Sequence, residues 1–522
     1  MYIGIDFGTS FSQVAVDNNN NVLPLVSAGV YGVPSVFYYD SASGEIVGDE
    51  AEDLAQGINA KNIVREVKMK LDQSFTLDDR VFSAKEIVRK IYRATVEYAQ
   101  DEGEKNIMDF KVDGIVITHP AKFNMKEVNA LCESARNCID PKNPLLVVGA
   151  LKEPVAAAIA YYKDTRDRFD DGDGILVFDL GGGTCDVALV QVNKQDDAEY
   201  TVVDSDMERI GGRDWDKALF DYAVGKIAEA TNGAINVIGN DNMENELKKA
   251  VILTKHMLSK RDATAIRPSI PSLYSYPGLA KGIAIKREDF EMLTAELLNS
   301  VMDKLSEVYS RNCQNLKIKE IICVGGSSNM PQIKEAIENR FSDCVIRLYK
   351  PEYATVSGAA IFANKIMNKL IKENYGIYTG GSDPVVKETT ELVMREILND
   401  ILPFSYGVRC RKSRDTDEFV IQNILKRGDR LPASSSYDKF KIAGSGTSVQ
   451  IEVYESECLD NTYPLNGAAN ERVVGKIQLD IPKGVRESDR VKCTLTITGL
   501  DTIKLEAHDN KGDSIQASFK LN

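Results

Sequence analysis

Residues 176–186 read LVFDLGGGTCD, and residues 2–10 read YIGIDFGTS. In each, an apolar run leads into an aspartate (Asp179, Asp6), then glycine (Gly181, Gly182 and Gly183; Gly8), then a hydroxyl residue (Thr184; Thr9 and Ser10). The apolar run reads as a strand, the glycines as a tight turn, and the alternation that follows, residues 12–16 and 187–190, as a second strand. Two β-hairpins of one design are expected, and with them an internally duplicated domain. Helical patterns over 83–100 and 126–137 and a strand at 114–118 lie between the two, so strands mix with helices as in α/β folds. A third glycine turn, Gly325-Gly326-Ser327-Ser328, follows the apolar run Ile321–Val324 and precedes a helix starting near Pro331.

A glycine turn beside a Thr or Ser aims several backbone N–H groups at one point, which suits a phosphate oxygen. Two such hairpins face to face would clamp a triphosphate. Asp6 and Asp179 would then sit near the phosphates, where a carboxylate makes electrostatic sense only with a cation such as Mg²⁺ between. One glycine hairpin alone is usually just a turn; two with matching aspartates and a third turn carry more weight. Neither GxxxxGK[ST] nor GxGxxG occurs, so P-loop and Rossmann readings lack their loops.

The rest of the chain sets bounds. Its 522 residues allow three or four compact units, and 43% hydrophobic with 27% charged residues is ordinary globular usage. With 64 basic and 78 acidic side chains the net charge is −14, which argues against non-specific nucleic-acid binding. The apolar runs 145–151 and 155–162 are too short to span a bilayer, and the start lacks a basic flank and long apolar stretch, so a cytoplasmic protein is expected. Nine scattered cysteines without CxxC pairs and three histidines (His119, His256, His508) argue against a zinc site or disulfide framework.

Composition shifts after Ile371. Residues 374–383 (NYGIYTGGSD) and the charged run to Glu391 read as a linker or insertion. From about Leu402 the pattern is all-β, with strands expected at 404–408, 419–425, 437–442, 449–454, 474–481, 491–497, 503–507 and 514–521, a small sandwich. The divisions are therefore 1–372, 373–399 and 400–522.

IGIDFGTS, VFDLGGGTCDVALV, IGGRDWD (210–216), CVGGSSNMP (323–331) and PEYATVSGAA (351–360), in this order, resemble the motifs of the 70-kDa heat-shock chaperones, the DnaK-type branch of the actin-like ATPases. The segments DILPFSYGV (400–408) and VQIEVYESE (449–457) resemble the start and an inner strand of that family's peptide-binding sandwich. The resemblance implies an actin-like, ribonuclease H-like duplicated ATPase domain of four subdomains around a cleft, followed by the sandwich. By motif position Asp6 and Asp179 would hold Mg²⁺ through its waters, with K⁺ as a further candidate ion. Gly8, Thr9, Ser10 and Gly181–Thr184 would touch the phosphates of ATP or ADP, Lys68 would position the attacked γ-phosphate, and Glu153 would stand near phosphates and metal waters. Gly211, Gly212, Lys255, His256, Ser259, Gly325, Gly326, Ser327, Asn329 and Glu352 would complete the nucleotide site. Hydrolysis would be attack by water on the γ-phosphate, helped by orientation and charge neutralisation.

Each residue also has a plainer reading. Lys68 could be a solvated helix lysine, Glu153 a helix-start residue favoured by the dipole, and Asp186 and Asp214 turn supports. His256 and Asn329 occupy places where the family has basic residues stacking on adenine, and Ile252 replaces an acid that reaches the ribose. An amide offers no cation–π attraction, so weaker adenine binding is expected. The linker counterpart, residues 393–400, is interrupted by charge where the family is apolar, which puts coupling between ATP state and peptide affinity in doubt. Val408, Phe440, Val449 and Ile451 match the peptide groove or, equally, pack a sandwich core, and Arg411 stands where the family has an apolar arch residue. The family's helical lid has no counterpart before Asn522, so a lidless form with fast peptide release is expected.

The resulting expectation is an ATP-dependent, chaperone-like ATPase that binds unfolded or extended peptide segments, with J-domain co-chaperones and nucleotide-exchange factors as implied partners and no nucleic acid or membrane. The alternatives are a nucleotide-sensing scaffold with little ATPase activity that binds a dedicated protein, an actin-like small-molecule kinase, and, by fold analogy, a filament former.

Overall fold

Where the sequence repeats its strand–glycine–strand pattern, the chain repeats a sheet. In the computed structural model, which describes residues 1–26, 32–55, 59, 61–140, 145–195, 200–372, 400–413, 416–441, 448–480, 490–497, 502–509 and 514–520, Tyr2–Phe7 and Phe11–Asn18 form one antiparallel hairpin and Gly174–Leu180 and Cys185–Val192 another. The described residues of Met1–Ala121, Leu131–Val192 and Ser205–Gly381 form one compact unit, and those of Lys122–Ala130, Asn193–Asp204 and Ser382–Asn522 a second.

In the first unit each hairpin grows outward in the same way. One sheet runs Leu146–Lys152, Gly114–His119, Tyr2–Phe7, Phe11–Asn18, Asn21–Pro24, with the first three strands parallel. The other runs Cys185–Val192, Gly174–Leu180, Ile318–Val324, Val345–Leu348, with the last three parallel. Duplication is thus a property of topology, not only of motif. Gly114–His119 and Gly174–Leu180 are buried at every residue, as central strands covered on both faces must be. Helices Glu153–Thr165 and Ala354–Lys372 pack on each other, the first also against Gly174–Leu180 and the second against Tyr2–Phe7.

The helices begin where the sequence signals them. Ala84–Asn106 starts after Ser83, whose hydroxyl accepts the Glu86 N–H at 3.2 Å, an N-cap. It runs six residues past the expected end at Gln100, because Ala99, Glu102 and Gly103 continue its buried face. Met125–Arg136 falls within a residue of expectation.

The second unit contains two antiparallel sheets: Thr462–Pro464, Phe419–Leu425, Ser405–Arg411, Ser448–Ser456, Arg472–Asp480, and Ala433–Lys441, Arg490–Ile497, Thr502–Asp509, Ser514–Lys520. All eight expected strands form. The ninth, Thr462–Pro464, is too short to show a period of two and ends in proline, so no pattern announces it. Tyr406, Val408, Ile451, Val453, Leu495, Ile497, Ile503 and Leu505 form the core of this unit. Within that core the Tyr406 hydroxyl donates to Glu455 at 2.8 Å, and Arg472 donates to the same carboxylate at 2.8 Å.

Candidate functional site

The two glycine turns of the first unit face each other. A Cβ placed on Gly183 would lie 2.7 Å from Thr9 Oγ1, and one on Gly182 2.8 Å from Ser10 Oγ, so any larger residue would push these hydroxyls from their places. Each turn is closed by its own backbone: Gly8 N–H donates to Phe11 O at 3.0 Å and Gly181 N–H to Thr184 O at 2.9 Å. The third turn packs on the second. Gly325 sits at φ 81°, and Ser327 Oγ donates to Gly181 O at 2.9 Å.

Acidic side chains gather behind the turns. Asp179 and Asp186 stand directly opposite each other across the second hairpin, a like-charge pairing that costs stability in a sheet. Both are buried. The Asp179 carboxyl is pushed up to about 8 by burial, then by Asp186 and Asp6, against Thr355, which donates to Asp179 Oδ2 at 3.2 Å. Burial also pushes Asp186 up to about 6, although its carboxylate accepts hydrogen bonds from the Thr184 side chain and the Ala121 N–H. Asp186 Oδ2 is buried with no hydrogen-bond partner. Asp6 Oδ1 accepts the Thr118 hydroxyl at 2.6 Å.

The one cation buried among these groups is Lys68 as far as the described ion pairs show, and it lies not on a helix face but in the 3₁₀ turn Val67–Lys70. Its Nζ donates to Glu153 Oε1 at 2.5 Å, with the side chain 3% exposed. Burial works to lower the Lys68 pKa, but Glu153 and Asp6 outweigh it and leave it raised, so the ammonium stays charged. Glu153 is held well above the usual carboxylate range by burial, with Asp186, Asp6 and Asp179 adding to it and Lys68 opposing. It is also the first residue of helix Glu153–Thr165, so the helix-start reading and the cleft reading both hold.

Four carboxylates with one lysine, three of them (Asp179, Asp186 and Glu153) raised and one bearing an orphaned buried oxygen, fit a cation. Among the described residues no three His, Cys, Asp or Glu side chains converge to ligate a metal directly. The arrangement therefore suits an ion held through its own water shell, whose ligand waters would reach Asp6, Asp179 and the free oxygen of Asp186.

A second cluster adjoins the Gly211–Gly212 turn. Lys255 Nζ donates to Gly212 O at 2.7 Å and to Asp216 Oδ2 at 2.8 Å, while Gly212 N–H donates to Gly181 O at 3.0 Å. Asp214 caps the turn by accepting the Gly211 N–H at 2.8 Å, the turn-support reading. Ser259 Oγ turns back onto Lys255 O at 3.3 Å. His256 has an exposed side chain whose ring is only partly desolvated, and that partial desolvation, then Lys255, lowers its pKa; Asn329 donates its amide to Gly326 O at 3.1 Å. Glu352 lies half-buried in the turn before helix Ala354–Lys372.

In the second unit Val408 and Ile451 are core residues and Phe440 packs against that core. Arg411 is exposed and paired with Asp417 at 3.6 Å. The side chain of Val449 and the linker residues 373–399 lie outside the described residues.

A family profile described as Hsp70 protein matches residues 74–519. The chain belongs to the Hsp70 family. Hsp70 proteins are ATP-binding chaperones with an actin-like ATPase domain and a β-sandwich, and the mixed α/β unit and sandwich here are consistent with that plan. The matched stretch begins after the first hairpin and after Lys68, so Asp6, Gly8, Thr9, Ser10 and Lys68 lie outside it. Among the described residues no helix is long and apolar enough to cross a membrane. Sequence reasoning did not single out Thr118, Thr355 or Asp216. Thr118 lies near the end of strand Gly114–His119, beside the first hairpin, and Thr355 in the first turn of helix Ala354–Lys372, inside the PEYATVSGAA motif; a hydroxyl at the end of the neighbouring strand is the signal that could have found the first.

Proposed function

We propose that this Hsp70-family chain hydrolyses ATP slowly in residues 1–372 and binds exposed, extended peptide segments in the sandwich of residues 400–522. The observation that carries the reading is the buried Lys68–Glu153 pair beside Asp6, Asp179 and Asp186, behind two glycine turns that face each other. Backbone N–H groups of the turns and the hydroxyls of Thr9, Ser10 and Thr184 hold the phosphates. Bound Mg²⁺ supplies neutralisation of phosphate charge. Asp6 and Asp179 orient its waters, and Thr118 and Thr355 fix those two carboxylates by hydrogen bonds. Lys68 holds the γ-phosphate, and Glu153, kept on the high side of its range, accepts hydrogen bonds from water at the attacking side. Lys255, Ser259, His256, Ser327, Asn329 and Glu352 take the nucleoside. Because His256 is uncharged at neutral pH and Asn329 is an amide, adenine stacks without a cation, and affinity is lower than a basic pair would give.

The test is single-turnover ATP hydrolysis by the full chain with Mg²⁺, with and without an unfolded model peptide. Measurable turnover that peptide accelerates is the expected result. Tight ATP binding with no turnover in either condition would replace the ATPase reading with that of a nucleotide-sensing scaffold.

A further inference from the structure

The turn that carries Lys68 opens on a strained residue. Glu66 has φ 59° and ψ 32°, left-handed backbone that a non-glycine residue holds only where its surroundings fix it. Its carboxylate lies 3.5 Å from Arg213 Nη1 and 3.8 Å from Lys70 Nζ. Lys70 belongs to the same turn, whereas Arg213 comes from the second half of the duplicated unit, 147 residues away.

Arg213 is unusual in its own setting. It is the second residue of helix Gly212–Thr231, and a cation in a first helical turn opposes the helix dipole. Its backbone N–H donates to Gly182 O at 2.9 Å, inside the second glycine turn. The only acid it meets besides Glu66 among the described ion pairs is its neighbour Asp214, at 3.7 Å. One residue is therefore tied by main chain to the phosphate-facing turn and by side chain to the residue that opens the lysine turn.

We infer that Arg213 is a positioning residue that holds the Lys68 turn in register with the Gly181–Thr184 turn through its ion pair with Glu66. The inference rests on the reading that these two turns bind and orient the phosphates of ATP. With side chains 26% and 36% exposed, the pair contributes little to stability, so its effect is on geometry. Lys68 must meet the γ-phosphate at a fixed distance from the N–H groups of residues 181–184. Loss of the tie lets Glu66 relax and the lysine drift, which slows the chemical step more than it weakens binding, because most phosphate contacts come from the glycine turns themselves.

The experiment compares wild type, Arg213→Ala, Glu66→Gln, the double variant and Arg213→Lys, measuring ATP affinity by calorimetry and hydrolysis in single turnover. Arg213→Ala and Glu66→Gln are each expected to slow hydrolysis on the order of ten- to a hundredfold while the dissociation constant moves less than about threefold. The double variant is expected to be no slower than either single one, and Arg213→Lys to recover a large part of the rate. Arg213→Ala turnover within about twofold of wild type, strictly multiplicative losses in the double variant, or a raised dissociation constant with turnover intact would each overturn the inference while leaving the ATPase reading standing. A wild-type chain that neither binds nor hydrolyses ATP would overturn the reading and the inference together.

Discussion

Replacing Lys68 with methionine keeps most of the side-chain volume and removes the only cation paired with Glu153 among the described residues. The two side chains are 3% and 11% exposed and their polar atoms are 2.5 Å apart, so this is a desolvated ion pair. At that separation the Coulomb attraction is roughly 6–7 kcal/mol at an effective dielectric of about 20, much of it offset by the desolvation of both groups. Without Lys68, Glu153 is left buried facing Asp6, Asp179 and Asp186, all of which raise its pKa, and it must take up a proton or remain unpaired. Removal of one partner from such a pair costs about 3–5 kcal/mol, whereas removal of both costs far less. Lys68→Met is therefore expected to destabilise the nucleotide-free unit by about 3–5 kcal/mol, and Lys68→Met with Glu153→Gln by no more than about 1–2 kcal/mol. The chain's single tryptophan, Trp215, is fully buried on helix Gly212–Thr231 of the same unit, so urea unfolding followed by its fluorescence reads this unit. Both variants are expected to lose ATP turnover. Destabilisation by Lys68→Met of under about 1 kcal/mol, or free energies that simply add in the double variant, would refute the reasoning.

Two further outcomes follow from the same physics. Asp179, raised to about 8 in the free cleft, must ionise to face Mg²⁺–ATP, so the complex holds fewer protons than the free protein. Binding then strengthens as pH rises toward 8 and levels off above it, by roughly fivefold between pH 7 and 8, with proton release visible by calorimetry in buffers of different ionisation heat. Asp179→Asn, which shares the titration of ATP itself, is expected to lack the protein's part of that slope; an identical slope in both would remove the assignment. In the sandwich, Ile451→Ala is expected to cost about 2–4 kcal/mol in urea unfolding, since the side chain is core, and to weaken peptide binding only to the extent that the sandwich unfolds. A wild-type unfolding midpoint with peptide binding lost would instead place Ile451 in the groove.

Much of this was legible because the chemistry is local in sequence. LVFDLGGGTCD spells strand, aspartate, glycine turn and second strand within eleven residues, and its echo at 2–10 makes duplication visible before any contact is known. The eight longer sandwich strands were equally readable from their period. Contacts between distant segments were not. Nothing around Lys68 announces that it is buried against Glu153, 85 residues on, nor that Asp186 lies opposite Asp179 with an oxygen left over. Arg213 is one letter of the IGGRDWD motif, and it pairs with a Glu66 whose backbone conformation no local propensity favours. The groove residues show the opposite case. An alternating apolar strand looks the same whether its inner face packs a core or a ligand, and Val408 and Ile451 turn out to pack the core.

The central claim is that two facing glycine turns and a buried set of carboxylates form a Mg²⁺-dependent ATP site. Titration of ATP into the full chain by calorimetry, with Mg²⁺ and with chelator, on wild type and on Asp179→Ala, tests it most directly. One ATP per chain, bound with Mg²⁺ and sharply weakened by chelator or by Asp179→Ala, is the predicted result. Equal binding in all four conditions, or none in wild type with Mg²⁺, would contradict it.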